Sequence, residues 1–170
     1  MGLRLATIAA IAGAWAAGCA AAPASAATIT ATAKAKLVKP LVLQSIQDLD
    51  LGTLVLGPGT WSGATVTLSQ AGVLTCPASL TCTGATQVAQ YNVSGSNNQT
   101  VVISAPDVTM VNQADSTKIL TLAVDCPASV ILTNSGPPGT NFSIGGSITL
   151  DSTASGGVYV GTFEVTADYQ

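Results

Sequence analysis

Hydrophobic and polar residues alternate along most of this chain, and no stretch beyond residue 27 repeats its apolar positions at the interval of a helix. Short runs rich in Val, Ile and Thr predict strands over 28–38, 41–46, 51–56, 64–69, 87–94, 100–104, 107–112, 117–125, 128–133, 141–150 with an internal break at Gly145 and Gly146, and 158–169. Clusters of Gly, Pro, Asn and Ser separate them, as at 57–59, 94–98, 112–115 and 134–139. Many short strands at this spacing predict an all-β domain, a two-sheet immunoglobulin-like sandwich.

Two segments alternate most cleanly. Along 158–169, Tyr159, Phe163, Val165 and Tyr169 fall on one face, in register with Gly157, while Thr162, Glu164, Thr166 and Asp168 fall on the other. Along 28–38, Ile29, Ala31, Ala33, Ala35 and Leu37 share one face, opposite Thr28, Thr30, Thr32, Lys34 and Lys36. So narrow an apolar face suits a groove whose floor is close, and Pro40 sets the segment apart by interrupting any ladder. No segment follows 158–169 to pair with it, so the expectation is a sandwich short of one strand. Its acceptor groove would run along Gly157, Tyr159, Phe163, Val165 and Tyr169, and the donor would be 28–38 of a neighbouring molecule. A side chain at Gly157 would then obstruct the arriving strand. The competing expectation is a self-sufficient monomer whose own 28–38 fills the groove.

The beginning of the chain reads as an export signal. Arg4 precedes an apolar run from Leu5 to Ala17, and Ala24-Ser25-Ala26 is a small-x-small cleavage site, so residues 1–26 are the expected leader and Ala27 the first mature residue. Ala16-Ala17-Gly18-Cys19 is a loose match to a lipid-attachment site, which would instead retain Cys19. The mature part is expected to hold no transmembrane segment. Its division is a donor-strand extension at 27–39 and a β-sandwich domain at 40–170.

Export agrees with the cysteines. Cys76 and Cys82 in TCPASLTC are close enough to clip a short loop in an oxidising compartment, with the pairing of Cys126 left open. Beyond the leader there are four lysines, eight carboxylates, and neither arginine nor histidine, a net charge of −4. Nucleic acid is a poor partner for such a surface. The lysines are unevenly placed. Lys34, Lys36 and Lys39 lie in the extension, which leaves 40–170 with Lys118 against eight acids, a net of −7.

Catalytic chemistry finds little to stand on, and the expectation is a non-enzyme without cofactor or metal. Without histidine, acid–base work would fall to carboxylates. Asp48 and Asp50 lie two apart, on one strand face, and read as a solvated face whose neighbours Leu49 and Leu51 point inward. The alternative to a fibre subunit is a self-complete secreted or outer-membrane-attached β-sandwich binding module, with Trp61 in GPGTWSG as a sugar-stacking candidate.

The two ends resemble the subunits of chaperone–usher pili. Those subunits commonly carry an aromatic at the penultimate position and a glycine fourteenth from the end, matched here by Tyr169 and Gly157, and an alternating N-terminal extension, which 28–38 resembles. The chain is also similar to a secreted family of unknown function in Gram-negative bacteria, through ATITATAKAKLVKP at 27–40, DLDLGTLV at 48–55 and GVYVGTFEVTADYQ at 157–170. It departs from many pilus subunits in its cysteine arrangement and in the strands near 41–56. The resemblance implies capture by a periplasmic chaperone, passage through an outer-membrane usher, polymerisation by donor-strand exchange with copies of itself or related subunits, and a place on the cell surface as an adhesive fimbria.

Overall fold

The computed structural model describes residues 26–170. The expected leader up to Ser25, with Cys19, lies outside the described residues. Contacts within the chain divide it between Ala35 and Lys36. Residues 26–35 carry no secondary structure and are exposed throughout, Ile29 at 95%. Residues 36–40 open the second unit in the same way, with Leu37 at 91%. The strand predicted over 28–38 is therefore not formed. Alternation supplies a face, but alanines bury too little area to hold it against a body, and a strand without a ladder partner leaves its backbone to water.

The remainder is all-β, with no helix among the described residues. The strands are β1 (Val42–Gln47), β2 (Thr53–Leu56), β3 (Ala64–Leu68), β4 (Leu74–Thr75), β5 (Leu80–Thr83), β6 (Ala89–Ser94), β7 (Thr100–Ser104), β8 (Val108–Asn112), β9 (Ile119–Asp125), β10 (Ser129–Ile131), β11 (Thr140–Leu150), β12 (Tyr159–Val160) and β13 (Thr166–Tyr169). Every strand pairing is antiparallel. One sheet runs β1-β6-β11-β9-β8-β12, with β3 also on β11 and β4 on β3, and curls strongly into a half-barrel. A second runs β10-β7-β13, and β2 pairs with β5.

The longest strand organises the large sheet. β11 pairs with β6 over Thr140 to Ile144, with β9 over Gly145 to Ile148, and with β3 over Gly146 to Leu150. It runs through Gly145 and Gly146 without the expected break. A β-carbon at Gly145 would collide with the Leu68 carbonyl, so the glycine allows close approach of β3 rather than a turn.

Two apolar clusters result. The first gathers Val66, Leu68, Leu122, Ile148 and Leu150, and the second Val93, Val101, Ile103, Leu132 and Ile144. Each fully buried aliphatic side chain contributes about 1.5–3 kcal/mol. In β3 the alternation is direct: Ala64, Val66 and Leu68 go inward, and Thr65 meets Thr149 across the ladder at 2.9 Å. Cys76 and Cys82 form the expected disulfide, joining the end of the β3–β4 hairpin to β5, and Cys126 is a half-buried free thiol.

The predicted strand 158–169 is split. β12 pairs with β8 and β13 with β7, and the two registers differ by one residue. Opposite the gap lies Ala105-Pro106-Asp107, where Pro106 has no N–H to offer a ladder. The side-chain pattern survives the gap: from Tyr159 to Tyr169 every odd residue is half-buried and every even one exposed.

Candidate functional site

The last strand is an edge along its whole length. Among the described residues, β12 pairs only with β8 and β13 only with β7. β1 is also an edge, paired only with β6, and a register shift between Ser45 and Gln47 leaves Ile46 exposed and the strand bent. Beside β12 lies an open cleft of about 770 Å³. One wall is 48–54 with Leu56, and the other is 154–163. Tyr91, Ala89, Ile148 and Leu150 lie among its floor residues.

Of the five predicted acceptor residues, Tyr159 and Tyr169 stand on β12 and β13, Phe163 and Val165 in the stretch between them, and Gly157 two residues before β12. Gly157, Tyr159 and Phe163 line the cleft, and Val165 and Tyr169 continue along the edge against the second cluster. Tyr159 donates its hydroxyl proton to the Ser155 carbonyl at 2.8 Å. The Tyr169 hydroxyl accepts from the Ser96 amide and donates to the Lys39 carbonyl, each at 2.7 Å. That ties residue 39 to the far end of the last strand, and Leu41 packs there too.

Within the chain itself Gly157 has a reason of its own to be glycine. Its φ is +144°, and a β-carbon there would strike the Asn112 side chain. Asn112, at 2% exposure, is the buried polar residue of the core. Its Nδ2 donates to the Gly156 carbonyl at 3.0 Å, and its Oδ1 accepts from the Ala114 amide at 2.9 Å and from the Asp115 amide at 3.3 Å. The glycine therefore accommodates a hub that fixes the start of the last strand. In the sequence Asn112 registers only as the first residue of a turn signal.

The other rim was legible only as strands of unassigned place. Leu41, Leu43, Leu49 and Leu51 alternate inward across the bulge; Leu49 and Leu51 line the cleft, and Leu41 and Leu43 pack on the second cluster. Asp48 and Asp50 are exposed beside them, and Asp50 closes a local turn by accepting the Gly52 amide at 2.8 Å. Burial, then the Asp48 carboxylate, pushes the Tyr91 phenol above its usual range against an opposing hydrogen bond from Ser45. Of the five donor residues, Ile29, Ala31, Ala33 and Ala35 belong to the exposed 26–35 segment and Leu37 to the exposed start of the second unit. Trp61 is half-buried against the first cluster, and its Nε1 donates to the Gly57 carbonyl at 3.2 Å, so the ring packs locally.

The arrangement offers backbone donors and acceptors on an unpaired edge, beside apolar side chains that are half covered. This is the chemistry of strand addition. No curated protein matches the chain. A family model described as a domain of unknown function (DUF4402) matches residues 41–169, which is well over half of the chain, and the chain therefore belongs to that family.

Proposed function

We propose that this protein is a structural subunit of an extracellular pilus or fimbria, assembled by donor-strand exchange and serving cell-surface adhesion. On this reading the domain is an immunoglobulin-like sandwich short of one strand, non-enzymatic, exported to the periplasm, held there by a chaperone and passed to an outer-membrane usher. The observation that carries the reading is the unpaired outer edge from Tyr159 to Tyr169, of which the part up to Phe163 lines an open cleft. An unpaired edge of that length, with half-covered apolar side chains beside it, is a template for pairing with another strand. Residues 28–38 offer a suitable cover, with an apolar face that is itself exposed.

The physical terms agree. An eleven-residue strand reaches roughly 36 Å. Covering Ile29 and Leu37 would contribute about 1.5–3 kcal/mol each, and each ladder hydrogen bond a net of about 0.5–1.5 kcal/mol. The sum is on the order of 10 kcal/mol, set against association costs of about 4–15 kcal/mol.

The test is deletion of residues 27–38 in an exporting host, followed by electron microscopy and gel filtration. The expected outcome is loss of fibres, with subunits recovered only in complex with a chaperone. A free, monodisperse and protease-resistant monomer from this deletion would show that the groove needs no strand and would end the proposal.

A further inference from the structure

We propose that the Cys76–Cys82 disulfide is a redox-sensitive latch on one wall of the cleft, and that its reduction by a dithiol frees 50–57 together with 79–87 while the other sheets stay folded. The proposal concerns the wall itself and stands whatever occupies the cleft.

This wall has no ladder to either larger sheet. Among the described residues β2 pairs only with β5, Thr53 to Leu56 against Thr83 to Leu80. The residues flanking β2 turn to the same partner segment. The Asp50 amide donates to the Gln87 carbonyl at 2.8 Å, and the Gln87 amide donates back to the Asp50 carbonyl at 2.9 Å. At the other end the Gly57 amide donates to the Ser79 carbonyl at 2.9 Å. Among the described residues the backbone pairings of 50–57 therefore all go to 79–87, and the wall is only as firm as that segment.

The segment is held unequally at its two ends. Beyond Gln87 it runs through Val88 into β6, which lies inside the large sheet between β1 and β11. Toward its start, β5 has no second ladder partner among the described residues, and the covalent tie runs from Cys82 to Cys76, the residue after β4 on the edge of the large sheet. Cys82 stands directly opposite Leu54, and Leu54 and Leu56 line the cleft. One bond thus sits behind the middle of the wall. A two-stranded ladder is marginal in water by itself, and here it is supported by Leu80, which is buried, and by Leu54, Leu56 and Cys82 packed on the first cluster. Closing the short loop 76–82 restricts the opened state of this unit, so cutting the bond favours local opening.

The bond is within reach of a thiol, since Cys76 is exposed and Cys82 half-buried. One thiolate of the dithiol attacks Cys76 Sγ, the Cys76–Cys82 bond breaks, and Cys82 leaves as a thiolate that takes up a proton. The second thiol then displaces Cys76 in the same way and closes the reductant's own disulfide, so two electrons pass from the dithiol to the protein.

The experiment follows backbone hydrogen exchange in the unassembled mature chain before and after dithiothreitol, with Cys126→Ser throughout to prevent exchange with the third cysteine. Reduction is expected to strip protection from 50–57 and 79–87, to leave β7, β9 and β13 as protected as before, and to be reversed by re-oxidation. Trp61 donates its Nε1 proton to the Gly57 carbonyl at 3.2 Å and is the one tryptophan after the expected leader, so its emission should shift to the red in step. A second protein, Cys76→Ser with Cys82→Ser, should show the same local pattern without reductant. Unchanged protection at 50–57 in both would overturn the latch, because packing alone would then hold the wall. Loss of protection throughout the domain in either would overturn it too, because the bond would then be a staple of the whole fold. Fibre formation enters none of these readouts, so the strand-acceptor reading stands or falls separately.

Discussion

Residues 28–38 and 159–169 have the same two-residue periodicity, yet one is a packed edge and the other carries no structure at all. The last strand turns Tyr159, Phe163, Val165 and Tyr169 toward the cores and has a ladder partner at each end. The extension presents Ile29 and Leu37 at opposite ends of three alanines, and none of them is covered. Periodicity names a face, whereas area and an available partner decide whether that face is buried within one molecule.

The comparison is broken most forcefully by removing one side chain from each segment. Phe163 touches both clusters from a half-buried position, so Phe163→Ala should destabilise the unassembled chain by about 2–3 kcal/mol, below the range for a fully buried ring. Ile29→Ala should change the same urea transition by less than about 0.5 kcal/mol, since nothing in its unit covers the side chain, and should act on fibre yield instead. A large destabilisation from Ile29→Ala in the monomer would mean that the segment packs on its own body and that the two segments are alike after all.

Most strands were legible because each pairs a β-branched run with a clear turn signal, as β3, β7 and β9 do. The misses have separate physical causes. β4 and β5 are short and lie around the Cys76–Cys82 loop, where pairing is enforced by a covalent clip and by β2 rather than by pattern. The glycine pair in β11 resembles a turn signal because close approach and tight turning both call for the same residue. For the site, the inward face of the last strand could be read from residue parity, whereas the opposite rim at Leu41 to Leu51 could not. Which strands face each other across a gap depends on long-range pairing that no local pattern encodes.

Gly157 and Asn112 sharpen the comparison by separating what anchors the last strand from what the strand offers. Asn112→Ala would leave the Ala114 and Asp115 amides and the Gly156 carbonyl without their partner, a loss of about 1–3 kcal/mol in the unassembled chain. Gly157→Ala should lower stability in the same direction, because the new β-carbon meets Asn112 and φ is unfavourable for any L side chain. Thermal unfolding of both variants before assembly measures the effect. If Gly157→Ala unfolds like the parent yet fails to form fibres, the glycine instead serves the incoming strand directly.

The smallest effect expected is a titration. Tyr91 lies in the cleft, and its phenol is raised first by burial and then by the Asp48 carboxylate. A raised value favours the neutral ring in the fold. Its contribution to stability is therefore complete below the unfolded value near about 10 and is lost as pH climbs through the folded one. Asp48→Asn should move the phenolate absorbance transition of the unassembled chain downward, with Tyr91→Phe identifying which part of the signal belongs to this ring. A strand seated in the groove would cover the ring further, so the same transition should lie at higher pH in assembled protein than in monomer. If the transitions of the two forms coincide, the occupied groove does not extend to Tyr91. The joint would then be confined to the Leu41–Tyr169 end, where the last strand is already held by Lys39 and Ser96.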